Sequence, residues 1–175
     1  GISRLKYKSV DFLQGVNIDN LLLNFSPQFV ELKEFKAMIG KSDIGASGRI
    51  DNLIGYYLND EVLKGSFTTT SKIMDLNELM GESSSTAETP VAEDTSALTP
   101  IEVPANIDFV LTSSFGKLIY DNMMMENMSG GIRIKDQKVS LENLRFNMLD
   151  GSFDVSGSYD AKNVKQPLVD FVMDI

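Results

Sequence analysis

One stretch of the sequence occurs twice without a gap. Residues 30–51, VELKEFKAMIGKSDIGASGRID, align with residues 139–160, VSLENLRFNMLDGSFDVSGSYD. The two copies share identical residues at five positions and apolar residues at six more. The identical residues of the first copy are Val30, Leu32, Ser47, Gly48 and Asp51. A repeat of this kind predicts one structural unit that occurs twice, in which neighbouring units cover each other's apolar surface.

Each copy has the alternating pattern of a β-strand with one interruption. Val30 and Leu32 alternate with polar neighbours, and Phe35 then resumes the alternation on the opposite parity. The second copy shifts at the same place, between Leu141 and Leu144. One extra residue in a strand produces such a phase shift, so the pattern predicts a β-bulge in both copies.

Turn residues then divide each copy into a hairpin. The turns are Gly40-Lys41 and Asp150-Gly151, and alternation returns after each of them. A short helical turn is predicted at Asn52–Asp60. The other predicted strands also occur once in each copy. Residues 5–12 correspond to 118–125, residues 18–25 to 128–135, and residues 63–74 to 169–175.

The pattern predicts an all-β fold with minor helix, a repeated antiparallel β-meander that forms one long, curved, groove-like sheet. Residues 1–80 are predicted to be the first β-repeat unit, and residues 107–175 a second unit that continues the same sheet. Residues 81–106 form an acidic linker rich in Ser, Thr and Pro, with three of the five prolines. Its composition favours a flexible loop, and an acidic docking peptide is the alternative.

Composition removes several classes of function. The net charge of −9 disfavours nucleic acid as a partner. The chain has neither His nor Cys, which removes catalytic triads, thiol chemistry and most zinc sites. We therefore predict no catalytic residue, no metal site and no cofactor. Asp51 and Asp160 recur at equivalent positions, and we interpret them as acceptors of turn hydrogen bonds rather than a catalytic carboxylate pair.

The apolar residues of the repeated hairpins are the candidate binding residues. A curved sheet with an apolar side can bury the acyl chains of a phospholipid or another lipid. The predicted lipid-facing set is Phe35, Ala37, Ile39, Ile44, Ala46, Ile50, Phe146, Met148, Phe153, Val155 and Tyr159. Because of the phase shift, Val30, Leu32, Val139 and Leu141 are an alternative set.

Two further features have competing interpretations. The methionine run Met123-Met124-Met125, with Met128, suits a surface that accepts variable apolar ligands, but it equally suits a core. Gly48 and Gly157 lie in the middle of predicted strands, where they indicate close packing or a bend.

The assembled pattern resembles the C-terminal region of the AsmA-like proteins of the Gram-negative envelope. The segments that carry the resemblance cover most of the chain outside the linker. They are FSPQFVELKEF (25–35), IGKSDIGASGRIDN (39–52), LKGSF (63–67), VSLENL (139–144) and GSFDVSGSYD (151–160).

The resemblance implies a periplasmic β-groove in a longer protein that is anchored in the inner membrane. Such grooves are thought to carry phospholipid in outer-membrane assembly and lipid transport, and the family supplies no catalytic residues. Neighbouring repeats of the full-length protein and envelope proteins are the expected protein partners. Gly1 is interpreted as a protease scar, so the chain is expected to be an excised piece.

The first alternative function is a protein–protein interaction module that uses the apolar side or the open sheet edges, and the second is a carbohydrate-active enzyme.

Overall fold

The computed structural model describes residues 2–9, 12–80 and 101–175, and the side chains from residue 15 onward within those ranges. Within these residues, ten strands form one sheet in which each strand pairs with its neighbours in the sequence. The first repeat consists of β1 (Ile2–Ser9), β2 (Phe12–Phe25), β3 (Phe29–Ile39), β4 (Ser42–Asp51) and β5 (Leu63–Asp75). The second consists of β6 (Ile107–Tyr120), β7 (Met123–Lys135), β8 (Lys138–Met148), β9 (Gly151–Asp160) and β10 (Leu168–Asp174).

The predicted fold class is confirmed, with one exception in strand direction. Within each repeat all neighbouring strands are antiparallel, but β5 and β6 run parallel, with Leu63 beside Ile107 and Phe67 beside Leu111. A parallel pair needs a crossover of about a dozen residues or more, and the long segment between β5 and β6 supplies it. Residues 81–100 of the predicted linker lie outside the described residues.

In the described part of the chain, two short helices accompany the first repeat. The predicted helical turn is α1 (Leu53–Asn59), which precedes β5. A second helix, α2 (Leu76–Leu79), follows β5 and was not predicted. The Asp75 carboxylate caps α2 by accepting hydrogen bonds from the backbone N–H groups of Asn77 and Glu78. The Asp-x-x-Glu spacing of Asp75 and Glu78 is a helix-start signal that could have located α2.

The two equivalent predicted strands 5–12 and 118–125 were wrong in their bounds, and in the first of them β1 ends at Ser9 and β2 begins at Phe12. Residues 118–125 were predicted to be a single strand with a phase shift, but β6 ends at Tyr120 and β7 begins at Met123. Asp121 takes a left-handed conformation at φ 53°, which Asp tolerates and which closes a tight turn. The phase shift is therefore a hairpin turn here rather than a bulge. The equivalent turn of the first repeat, residues 10–11, lies outside the described residues.

Candidate functional site

The two predicted bulges place the apolar residues of both candidate sets on one side of the sheet. On β4, Ile44, Ala46, Gly48 and Ile50 alternate without interruption. Their partners on β3 are Ala37, Phe35, Leu32 and Val30, with one extra β3 residue between Leu32 and Phe35. Directly paired residues of antiparallel strands lie on the same side. The bulge therefore keeps the residues on both sides of the phase shift on one face.

The second repeat has the same arrangement. Val139, Leu141, Leu144 and Phe146 of β8 pair with Tyr159, Gly157, Val155 and Phe153 of β9, and the register shift again falls between Leu141 and Leu144. The rings of Phe146 and Phe153 stack with their centroids 5.1 Å apart. Met148 pairs with Gly151 at the end of the hairpin.

This surface, which we call the apolar face, continues through the middle of the sheet. Ile50, Gly48 and Ala46 pair with Gly65, Phe67 and Thr69 of β5. Those β5 residues pair in turn with Phe109, Leu111 and Ser113 of β6, which pair with Ile134, Ile132 and Gly130 of β7. Ile132 and Ile134 then pair with Leu141 and Val139 of β8. The apolar face thus joins the two repeats.

All eleven predicted lipid-facing residues belong to the apolar face, and so do the four of the alternative set. The two sets were expected to be exclusive, whereas the bulges make them members of one surface. Ala37 and Val155 are buried, at 3% and 6% exposure, and the other nine of the predicted set are half-buried. Their placement does not by itself identify a ligand.

The repeated glycines of the apolar face allow a phenylalanine of the next strand to lie against the backbone. Gly48 pairs with Phe67, and Gly157 pairs with Phe171. A Cβ on Gly48 would overlap the Phe67 ring and lie 2.6 Å from the Ser66 carbonyl oxygen. A Cβ on Gly157 would lie 2.9 Å from the Asp170 carbonyl oxygen and 3.3 Å from the Phe171 ring. Close packing, one of the two interpretations of these glycines, is therefore confirmed.

The apolar face contains a shallow depression in the second repeat. Its volume is about 180 Å³, and its lining is almost entirely apolar. The side chains that line it include Phe115, Met128, Ile132, Leu141 and Leu144. Two larger hollows, of about 430 and 560 Å³, contain charged side chains such as Glu126 and Arg49 and are predominantly polar. Among these three concavities, only the depression suits an apolar ligand.

Residues 101–106 cross one end of the apolar face. The Tyr159 hydroxyl, on β9, accepts a hydrogen bond from the Ile101 backbone N–H and donates one to the Ile101 carbonyl, both at 3.0 Å. The Asn106 carbonyl accepts from the Leu63 backbone N–H on β5. The segment therefore spans the strands between β9 and β5, and Val103 within it is only 7% exposed. It covers the apolar face where β6 begins.

The opposite side of the sheet, which we call the polar face, carries pairs of opposite charge. Arg49 contacts Asp51, Arg145 contacts Asp154, and Asp108 contacts both Arg133 and Lys135. The hydrogen bond from Lys135 is the largest influence on Asp108 and holds its pKa below the usual value. The Arg49 hydrogen bond lowers the pKa of Asp51 in the same way. These ion pairs therefore lie on the side of the sheet opposite the apolar face.

The recurring aspartates have different roles in the two repeats. Asp160 accepts a hydrogen bond from the Lys162 backbone N–H, which confirms the predicted turn interaction. Asp51 instead forms the ion pair with Arg49. Neither contact indicates catalysis. Among the described residues, no group of three or more Asp and Glu side chains is placed to hold a metal ion.

Asp43 lies where the pairing of β4 with β5 ends. Its carboxylate accepts hydrogen bonds from the Ser71 hydroxyl and from the backbone N–H groups of Lys72 and Ile73, at 3.2, 2.8 and 2.9 Å. Burial raises the pKa of Asp43, but the hydrogen bonds from Ile73, Lys72 and Ser71 outweigh it, so the net pKa is lowered. No feature of the repeat predicted this contact, because the equivalent residue of the second copy is Ser152.

The methionine run was interpreted either as a surface for apolar ligands or as part of a core, and its residues divide between these two interpretations. Met125 pairs with Leu118, which is 6% exposed and itself pairs with the buried Met74, so Met125 belongs to a small core. Met128 lines the depression on the apolar face. Met123 and Met124 are 43% and 48% exposed.

No protein-family model, curated protein or solved structure matches this chain. Within the part of the chain that the structure describes, no helix is long and apolar enough to span a bilayer. A function for this chain is therefore inferred from the chemistry of its two faces.

Proposed function

We propose that this protein binds acyl chains of phospholipids along its apolar face and catalyses no reaction. The observation that carries the proposal is the continuity of the face. The pairing of neighbouring strands connects the apolar face through both repeats. The depression on this face is lined by Phe115, Met128, Ile132, Leu141 and Leu144. The depression is comparable in size to the cavities of ~150 Å³ that bind benzene in engineered proteins.

Acyl chains would bind to such a surface modestly and without a fixed position. Full burial of a methylene group contributes about 0.8 kcal/mol, so a chain covered on one side gains roughly half of that for each methylene. The loss of translational freedom offsets part of the sum. Because burial has no direction, an acyl chain can move along the face, which suits transport better than storage.

The resemblance of the sequence to the AsmA-like proteins is a second, independent support for the same proposal. Under it, the chain is a periplasmic segment of a longer protein that is anchored in the inner membrane. The polar face then contacts water. The apolar face carries phospholipid toward the outer membrane while that membrane is assembled. The ion pairs of Asp51 and Asp108 with neighbouring cations support a structural role for those carboxylates.

The test is photo-crosslinking with a phospholipid that carries a diazirine in one acyl chain. Crosslinks are expected on residues of the apolar face, above all around the depression. Ile132→Asp introduces a charge there at a side chain that is already 38% exposed. We expect it to lower the crosslinking yield by about tenfold, as the loss of one apolar anchor would.

Val110→Asp is the matched control, because Val110 pairs with Arg133 on the polar face of β6. It adds the same charge and should leave the yield unchanged. Both variants are checked for folding by circular dichroism. Equal labelling of the two faces, or an equal effect of the two variants, would contradict the proposal. A lipid-free protein that does not crosslink, but binds an envelope protein saturably, would favour the interaction module.

A further inference from the structure

The depression on the apolar face coincides with two small residues that pair with each other. Ser113 on β6 pairs with Gly130 on β7, and both line the depression. The Ser113 hydroxyl forms a hydrogen bond of 2.8 Å with the Thr69 hydroxyl, so it needs no ligand as a partner. The larger side chains that line the depression are those of Phe115, Met128, Ile132, Leu141 and Leu144. The small pair leaves the space that these side chains surround.

The first repeat has larger residues at the equivalent positions. The shift that aligns the two repeated hairpins also aligns Leu21 on β2 with Gly130. Leu21 is half-buried and pairs with Phe35 on the apolar face. Its partner on β1 is Ile2, where β6 has Ser113. A leucine side chain therefore lies in the first repeat where Gly130 leaves space in the second.

The size of the depression limits what can enter it. Met128 and Ile132 flank Gly130 at two residues before and after it, and the rise of a strand places them about 14 Å apart. The volume of about 180 Å³ is close to the ~150 Å³ of a cavity that holds benzene, so it accepts on the order of six carbon atoms. A short segment of one acyl chain fits, but not a whole chain.

We propose that one acyl chain of a phospholipid rests preferentially in this depression, and that the Ser113–Gly130 pair determines the position. The proposal rests on the proposed function and specifies where along the apolar face the lipid is held. A methylene group on the open face is covered on one side, whereas one inside the depression is covered on several sides and gains more from burial. An acyl chain that moves along the face therefore stays longest in the second repeat. In the first repeat, Leu21 fills the equivalent place.

The test maps the crosslinks of the diazirine phospholipid to single residues by mass spectrometry. Ile132 lines the depression, and Leu23 is its equivalent in the first repeat. The two side chains are 38% and 37% exposed, so a difference in their labelling reports where the lipid lies rather than how accessible each side chain is. We expect Ile132 to be labelled about tenfold more, which is the effect of roughly two additional buried methylene groups.

Ser113→Ile fills the depression with the residue that the first repeat has at the equivalent position. It should lower the labelling of Ile132 by about tenfold. Filling from β6 avoids a change at Gly130, where a Cβ would lie 2.9 Å from the Leu144 Cα. Ser114→Ile is the matched control, because Ser114 is the next residue of β6, is exposed and lies on the polar face. It should leave the labelling unchanged.

The reciprocal variant opens the first repeat. Ile2→Ser together with Leu21→Gly gives it the small pair of the second repeat and should raise the labelling of Leu23. The gain should be smaller than tenfold, because the exposed Asp19 stands where the second repeat has Met128.

The folding of each variant is checked by circular dichroism. Equal labelling of Ile132 and Leu23 in the wild type, or equal effects of Ser113→Ile and Ser114→Ile, would overturn this proposal while lipid binding along the face still held. If Ser113→Ile does not fold, the reciprocal variant decides, and unchanged labelling of Leu23 then overturns the proposal. Absence of labelling anywhere on the apolar face would overturn the proposed function as well.

Discussion

The two repeats have nearly the same hairpin but hold the strand that follows it very differently. β5 lies between β4 and β6, and the Asp43 carboxylate binds the backbone of Lys72 and Ile73 near its end. β10 pairs with β9 alone among the described strands, and all its residues are exposed. The comparison shows that repeated residues determine the geometry of the hairpin, whereas residues outside the repeat determine how firmly the next strand is held.

The largest expected difference is in hydrogen exchange. Exchange at β10 requires only local separation from β9, whereas exchange at β5 requires opening of the middle of the sheet. We expect backbone amides of β10 to exchange about 100-fold faster than those of β5, or more. Hydrogen–deuterium exchange resolved by residue measures the ratio. Equal protection of the two strands would mean that β10 is covered in solution, and the comparison would fail.

The next effect is that of a methyl group added at the repeated glycine. Gly48→Ala places its Cβ against the Phe67 ring and the Ser66 backbone of a strand that is fixed on both sides, so we expect a loss of about 2–3 kcal/mol in the free energy of unfolding. Gly157→Ala meets Asp170 and Phe171 of an edge strand that can shift, and we expect about 1 kcal/mol or less. Urea denaturation of the two variants measures both values. Equal losses would show that β10 is as rigid as β5.

The repeated hairpin could be predicted from sequence because alternation and turn residues are local signals. The spacing of apolar residues also led to a wrong prediction. A three-residue step between apolar residues is a bulge at Leu32 to Phe35, but at Tyr120 to Met123 it is a tight turn. Asp121 and Asn122 lie within the second step and distinguish it, since both residue types favour turns. The pattern of apolar residues alone does not separate the two cases.

The rest of the candidate site could not be predicted because it depends on contacts that are distant in sequence. The parallel pairing of β5 with β6 joins residues that are 44 positions apart, as in Phe67 with Leu111, and leaves no local mark in either strand. The hydrogen bonds between Tyr159 and Ile101 likewise connect β9 to a segment that sequence composition assigned to a linker. The membership of the apolar face was predictable, but its cover was not.

A smaller effect concerns the carboxylate that ties β5 to β4. Asp43→Ala leaves the Ser71, Lys72 and Ile73 donors without this acceptor, and we expect a loss of about 1–2 kcal/mol. Ser152→Ala, at the equivalent residue of β9, is the matched control and should have almost no effect, because Ser152 donates only to the exposed Asn147 side chain. Similar losses for the two variants would remove this distinction between the repeats.

The contribution of Asp43 should also depend on pH. Its pKa in the folded protein lies below the ordinary value of 3.8, so the carboxylate stabilises the fold fully above that value. The stabilisation is lost as the pH falls through the lowered pKa, when the folded protein too must bind a proton. The free-energy difference between the wild type and Asp43→Asn should therefore be constant at neutral pH and shrink below pH 3.8. A difference that does not change with pH would contradict the assignment.

The smallest expected effect concerns the hydroxyl of Tyr159, which attaches residues 101–106 to the second repeat. Tyr159→Phe keeps the ring on the apolar face but removes the hydroxyl that bonds Ile101, and Ile50 at the equivalent position of the first repeat has no such group. Because these hydrogen bonds are exposed, we expect a loss below about 1 kcal/mol in global stability. The Ile101 amide should nevertheless lose most of its protection from hydrogen exchange, while the amides of β9 keep theirs. If Ile101 stays protected in the variant, other contacts hold residues 101–106 on the face, and buried Val103 is then the side chain to truncate next.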